Sequence, residues 1–307
     1  MKVHFCGVRG STPAPGAEFV RVGGHTSCVA VTADGAAVPR LLLDAGTGIR
    51  TVSGLLDGAA FAGTILLSHL HWDHVQGLPF FTAADRPDAV VTLRLPDEGE
   101  PAAQTLARAM SPPHFPIGPG GLAGTWRFET IDEGTHDLEG FQVLVRQIPH
   151  KGGRTFGYRI TDAAGSIAYL PDHRPVIDGP GHDAALELAH GVDLLVHDAQ
   201  FLAHEIAPAT AYGHARVDQA LALATEAGVG RLVLFHHAPG RTDEALDDLA
   251  ASLSHDSAAP LLAREGLEVD LAAPPRLRLR PQAGSPGCGA GLPSPDADVG
   301  RPTDAAG

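Results

Sequence analysis

Lysine is almost missing from this chain. Lys2 and Lys151 are the only two in 307 residues, so arginine carries nearly all the positive charge. Lys and Arg together number 22 against 36 Asp and Glu, for a formal net charge of −14. That balance excludes a broad nucleic-acid-binding surface, which needs a basic field, but leaves room for a small basic pocket. Cysteine is scarce too. Cys6, Cys28 and Cys288 stand at no metal-binding or redox spacing and read as buried or incidental thiols. A reducing, cytoplasmic location is the expectation. No run approaches the ~18–20 apolar residues of a membrane helix, and no membrane partner is expected. The opening Met-Lys-Val-His-Phe-Cys enters a strand pattern directly, without the basic-then-apolar layout of a signal peptide. Aromatic residues are only 5%, yet a hydrophobic content of 44% suffices for a sizeable core.

Histidine is plentiful, with 17 residues, and four potential ligands crowd into one heptad. Ser68-His-Leu-His-Trp-Asp-His74 places His69, His71, Asp73 and His74 within six positions. The run before it, Gly63-Thr-Ile-Leu-Leu67, is apolar and β-branched and reads as a buried strand. The ligand candidates therefore leave a strand end on a loop, where a rigid scaffold tolerates irregular backbone and sites are commonly built. Imidazole and carboxylate suit zinc, manganese or iron(II). So many ligands this close together cannot easily face one ion. His69 and His71 can share one metal while Asp73 and His74 reach a second.

Three later stations repeat this placement. Gln142-Val-Leu-Val-Arg-Gln-Ile148 leads into His150, Ser166-Ile-Ala-Tyr-Leu170 into Asp172, and Arg231-Leu-Val-Leu-Phe235 into His236 and His237. Singly, each is an ordinary turn residue; as an ordered set they are a poor product of chance.

The remaining pattern alternates strands and helices. Residues 2–7, 27–33 and 40–44 read as strands, and Asp44-Ala-Gly-Thr-Gly48 as a turn before a helix at about 49–57. A second helix begins near Asp73. Residues 96–124 are rich in Pro and Gly and read as a loop excursion. A second strand series is expected at 125–131, 140–149, 155–161 and 166–171, followed by a strand at 192–196, a helix at about 215–227, a strand at 231–235 and a helix at about 242–254. Two strand sets with attendant helices predict an α/β, four-layer αβ/βα sandwich over 1–271. Residues 272–307 are a Pro/Gly/Ala-rich tail, expected to be disordered from about 282.

The heptad resembles the His-x-His-x-Asp-His signature of the metallo-β-lactamase superfamily. Further stretches resemble its ribonuclease Z and phosphoribosyl cyclic phosphodiesterase branch: Gly7-Val-Arg-Gly-Ser-Thr-Pro13, Gly24-His-Thr-Ser-Cys28, His197-Asp-Ala199, Gly213-His214 and Leu232-Val-Leu-Phe-His-His-Ala-Pro239. Ala215 and His25 depart from the residues usual there. The resemblance implies the metallo-β-lactamase fold and a dinuclear hydrolase. His69, His71 and His150 would hold one ion, Asp73, His74 and His236 the other, with Asp172 bridging. The cofactors would be two divalent ions, zinc first, with manganese or iron as alternatives. A metal-bridging hydroxide would be the nucleophile, and Asp73 would take its proton. His214 would be the general acid, oriented by Asp198, which has a plain alternative as a helix cap. Asp44 and His237 are expected behind the ligands, and Lys151 and Arg154 either bind phosphate or are solvated; Arg9 with Ser11 and Thr12 is a weaker signal.

These roles imply a phosphodiesterase acting on a small cyclic or nucleotide-type diester, with a homodimer left open. A ribonuclease Z-like tRNA 3′ endonuclease is the rival. In that enzyme a long tRNA-binding arm occupies the interval between the stations of His150 and Asp172, which here holds 21 residues. From another class comes a non-catalytic, metal-stabilised binding protein.

Overall fold

The computed structural model describes residues 1–254 and 259–271, together with the backbone of 278–279. In chain order the first half contains β1 (Lys2–Gly7), β2 (Cys28–Thr32), β3 (Leu41–Leu43), α1 (Ile49–Val52), β4 (Ala62–Leu66), α2 (Trp72–Val75), β5 (Val90–Pro96), α3 (Ala102–Ala107) and β6 (Thr125–Ile131). The second contains β7 (Gly134–Leu138), β8 (Phe141–Gln147), β9 (Phe156–Asp162), β10 (Gly165–Leu170), α4 (Pro180–Ala189), β11 (Leu194–Asp198), α5 (Ile206–Tyr212), α6 (Val217–Glu226), β12 (Leu232–Phe235), α7 (Asp243–Leu253), β13 (Leu261–Leu262), β14 (Leu267–Asp270) and β15 (Arg278–Leu279).

Two sheets result, in the orders β15-β14-β1-β2-β3-β4-β5-β6 and β13-β12-β11-β10-β9-β8-β7. Each joins an antiparallel part to a parallel one: β3 through β6 are parallel, as are β10 through β13. Strand residues alternate between two buried faces, which requires the nearly unbroken apolar runs seen in the sequence. Val29, Val31, Leu41 and Leu43 face the second sheet and join its Val143, Val145 and Ile167 in one core. Ala30, Leu42 and Ile65 face outward and pack with Ile49, Val52 and Leu106 from the flanking helices. Helices α4 and α6 cover the far side of the second sheet. The result is the expected four-layer αβ/βα sandwich.

One division differs from expectation. The strand at 125–131 belongs to the first sheet, because β5 pairs with it in parallel from Val90↔Thr125 to Pro96↔Ile131. Strand β5 itself was not expected, although Val91, Leu93 and Leu95 alternate inward as a half-buried strand does. Strands β7, β13 and β14 and helices α4 and α5 are also additions. The excursion at 96–124 contains α3 and is not loop throughout. At the other end, β15 pairs with β14; the rest of the expected tail lies outside the described residues. No helix among the described residues is long and apolar enough to cross a membrane.

Strand direction positions the site. Parallel neighbours end at one sheet edge, so Leu43↔Leu66 pairing puts Asp44 level with the start of the heptad. In the second sheet, Leu170↔His197 and Asp198↔Phe235 bring the exits of β10, β11 and β12 together. Strand β8 runs antiparallel to β9, which runs antiparallel to β10, so β8 delivers His150 to the same edge. Open α/β sheets place their ligands outside the carboxyl ends of such strands.

Candidate metal centre

The heptad turns directly into α2. His71 is the residue before the helix, and Asp73 and His74 lie within it, both buried. His69, His71, His150 and Asp172 each present a ligand atom within 4.8 Å of the others, and so do Asp73, His74 and His236. Asp172 joins the groups with different oxygens. Its Oδ2 lies 3.6 Å from His69 Nε2 and 3.5 Å from His150 Nε2. Its Oδ1 lies 3.0 Å from His74 Nε2 and 3.1 Å from His236 Nε2. Asp73 Oδ2 faces the second group, 3.1 Å from His236 Nε2 and 3.4 Å from His74 Nε2. All seven expected ligands are thus brought together around one carboxylate.

Electrostatics fit a cation-binding role. Burial, reinforced by neighbouring histidines, holds the His69 imidazole well below its ordinary pKa. Burial also lowers those of His71 and His150. Neutral imidazoles with free lone pairs are the ligand form. Burial alone would raise Asp73, but His74 and His236 hold its carboxyl well below the usual range. Three buried atoms at the centre, His69 Nε2, His74 Nε2 and Asp172 Oδ1, face only one another's ligand groups, with no well-aligned hydrogen bond. Buried polar atoms without good hydrogen bonds are costly, and convergent nitrogen and oxygen donors of this type fit divalent metal.

A second set of contacts aims the ligands. The Asp44 carboxylate accepts from Ser68 N at 2.7 Å, Ser68 Oγ at 2.9 Å and Tyr169 Oη at 2.8 Å. It also lies 2.7 Å from His74 Nδ1, fixing the tautomer that leaves His74 Nε2 for the metal. His150 Nδ1 bonds to Gly213 O at 2.7 Å. The backbone N–H of Ser11 donates to Asp73 Oδ2 at 2.7 Å. Asp44 and His236 themselves sit at left-handed φ of 61° and 59°, a cost tolerated at functional positions. Gly46 lets its turn approach α2, since a Cβ there would lie 2.1 Å from Asp73 O.

His214 follows α5 and the left-handed Gly213. Its Nδ1 lies 2.8 Å from Asp198 Oδ2, and its ring stacks 5.0 Å from that of His236. Burial would lower its pKa, but Asp198, then Asp172 and Asp73, push it up to about 9. His214 can also be grouped with Asp172 and His236 as a ligand. However, its nitrogen 3.8 Å from Asp172 is the one that Asp198 already engages. Asp198 ends a buried strand and also accepts from the backbone N–H groups of His173, Gln200 and Ala215, so it does not cap a helix.

Other expected residues do not face the centre. His237 bonds through Nε2 to Ala263 O at 2.8 Å, and burial pushes its pKa down to about 3. Lys151 Nζ donates to Ala211 O at 2.9 Å, and Arg154 to Asp97 O at 3.1 Å. Arg9 is wholly buried and tied to Gly23 O and Arg241 O at 2.6 Å each. Conversely, Ser68, Tyr169, Ser11 and Gly213 were missed or given little weight. Tyr169 offered one signal, a hydroxyl inside an apolar strand just ahead of a ligand.

The β-lactamase superfamily domain matches residues 39–237. The chain belongs to that superfamily. It is similar to ribonuclease Z of Lacticaseibacillus casei, 31% identical over 213 residues that cover 56% of this chain and 66% of the relative. The chain therefore spans just under two thirds of that relative's length. The metallo-β-lactamase fold protein YhfI of Bacillus subtilis superposes with a TM-score of 0.65 and 19% identity, over 88% of this chain and 99% of that one. A diphosphatase of the PhnP family gives a TM-score of 0.62 and 20% identity, over 88% of this chain and 97% of its own. At these identities the two structures show a shared fold.

Proposed function

We propose that the protein is a dinuclear metal-dependent phosphodiesterase acting on a small cyclic or nucleotide-type diester. The observation that carries this reading is the Asp172 carboxylate, whose two oxygens face two separate histidine groups. When bound there, two divalent ions, zinc first, would supply a nucleophile at neutral pH and charge to stabilise an in-line displacement. His69, His71 and His150 would hold one ion, Asp73, His74 and His236 the other. His214, held through Nδ1 by Asp198, would keep a proton on Nε2 for the departing alkoxide. Asp198 raises the affinity of that ring for its proton, as a general acid requires.

The small-substrate reading is supported by the interval between His150 and Asp172. Hairpin β9–β10 fills it, joined through Ala163-Ala164, with no inserted arm. The relatives named ribonuclease Z support the rival substrate, a tRNA 3′ end. The test is hydrolysis of bis(p-nitrophenyl) phosphate by zinc- or manganese-loaded protein, alongside a cyclic nucleotide panel and a pre-tRNA. Turnover of the small diesters without tRNA trimming is the expected result. Efficient trimming with weak small-diester turnover selects the rival, and no turnover at all leaves the metal-stabilised binding protein.

A further inference from the structure

Three of the ligand histidines have a partner behind them. Asp44 stands 2.7 Å from His74 Nδ1, Gly213 O 2.7 Å from His150 Nδ1, and Ser68 Oγ 3.0 Å from His69 Nδ1. His236 has none. It turns Nε2 toward Asp73 and Asp172, so an ion bound there takes the Nε2 lone pair and leaves the proton on Nδ1. That N–H is a donor in a wholly buried ring, and it makes no hydrogen bond. The rings of His74 and His214 stack on either side at 5.4 and 5.0 Å. Stacking fixes the plane of the His236 ring but not its rotation within that plane.

Gln200 has the complementary defect. Its side chain is 5% exposed, and its Oε1 is a buried acceptor without a donor. The two unpaired atoms flank one point. The Cβ that Gly10 lacks would lie 2.5 Å from His236 Nδ1 and 2.6 Å from Gln200 Oε1. Gly10 is held there by its N–H, which donates to His237 O at 2.9 Å. The Gln200 amide is also oriented. Its Nε2 donates to Ser11 Oγ at 3.4 Å, which leaves Oε1 for the ring. Its backbone N–H donates to Asp198 Oδ1 at 3.0 Å, and its carbonyl accepts from Arg241 Nη2 at 3.3 Å. Ser11 in turn holds Asp73 through its backbone N–H. A buried donor and a buried acceptor are each costly alone, and pairing them removes both costs.

We propose that Gln200 is a positioning residue for His236, its Oε1 accepting from Nδ1–H when the ion shared with Asp73 and His74 is bound. Outer partners of this kind fix the tautomer and raise the basicity of a ligand. The inference rests on the dinuclear reading of the centre.

Zinc-loaded protein with ¹⁵N-labelled histidine tests it. The His236 Nδ1–H signal is assigned by its loss in His236→Asn. It should lie downfield and resist exchange with solvent. In Gln200→Leu it should move upfield, and chelator competition should show one zinc weakened about 10–100-fold and the other held within about threefold. Gln200→Glu keeps an acceptor oxygen and should restore both the signal and the affinity. A merely structural role would weaken both ions and gain nothing from the glutamate. A freely exchanging Nδ1–H in the parent protein overturns the pairing without any variant. So do two unaltered affinities in Gln200→Leu, or an equal loss of both ions that Gln200→Glu does not restore. A parent protein that binds no zinc overturns the metal centre and the pairing with it.

Discussion

The two halves of the molecule supply the same centre in opposite ways. The first half gives His69, His71, Asp73 and His74 from one loop and the short helix α2. The second gives His150, Asp172, Asp198 and His236 singly, from the ends of β8, β10, β11 and β12, and His214 from beyond α5. The dense half is held by local sequence plus one carboxylate, Asp44, behind it. The dispersed half is held by sheet register, since parallel strands must end together. A local motif can thus be damaged residue by residue, whereas the dispersed set depends on a shared edge.

Asp172 is where the halves meet, and its loss should break the comparison outright. Asp172→Ala should lower bound metal from two ions per chain and reduce bis(p-nitrophenyl) phosphate turnover more than any other single change. Metal analysis after dialysis, run beside the rate assay, checks this; two retained ions would show that Asp172 is no bridge.

Next in size is His214→Ala, a change confined to the dispersed half. Diesters with poor alkoxide leaving groups should slow by ~10²–10⁴-fold. A p-nitrophenyl ester should suffer much less, because p-nitrophenolate leaves without a proton, and metal content should hold. Equal losses on both ester types would place His214 in substrate binding. With His214 as the general acid, its acid form would be the active one, and activity should fall as pH rises through its pKa. Asp198 raises that pKa. Asp198→Asn should therefore move the alkaline limb of the kcat profile to lower pH, with a milder rate loss than His214→Ala.

In the dense half, Asp44→Ala should weaken metal affinity by about 10–100-fold, because His74 loses the partner that orients it. A chelator competition titration reads this directly, and unaltered affinity would show that α2 alone aims His74. The smallest expected effect sharpens how the halves touch. A Cβ on Gly10 would lie 2.5 Å from His236 Nδ1 and 2.6 Å from Gln200 Oε1. Gly10→Ala should therefore displace the His236 ring, at a cost of about 1–3 kcal/mol in stability, and loosen one ion in preference to the other. Thermal unfolding with metal titration would reveal either.

Legibility followed the same division. The heptad and the runs leading into His150, Asp172 and His236 are adjacent in the chain to apolar strand signals, so the ligands could be named from residue order. Strand β5 is comparably apolar and was still not expected, and without it β6 was placed in the wrong sheet. A strand's pattern shows that it is buried but not which strand it pairs with, because pairing is a long-range choice. His237 shows what adjacency in the chain leaves open. It stands beside a ligand in sequence, yet the turn at His236 sends its ring to Ala263 O.

The sequence by itself determined the ligand types, their order and their attachment to strand ends, because those properties are carried by contiguous residues. The tertiary structure decided which atoms share a centre. It brought the two Asp172 oxygens between two histidine groups, placed Tyr169 and Ser68 on Asp44, and put Arg174 and Arg216 on one cleft with His214. Such contacts join residues far apart in the chain, and only the packing of two sheets at a common edge sets the distances between them.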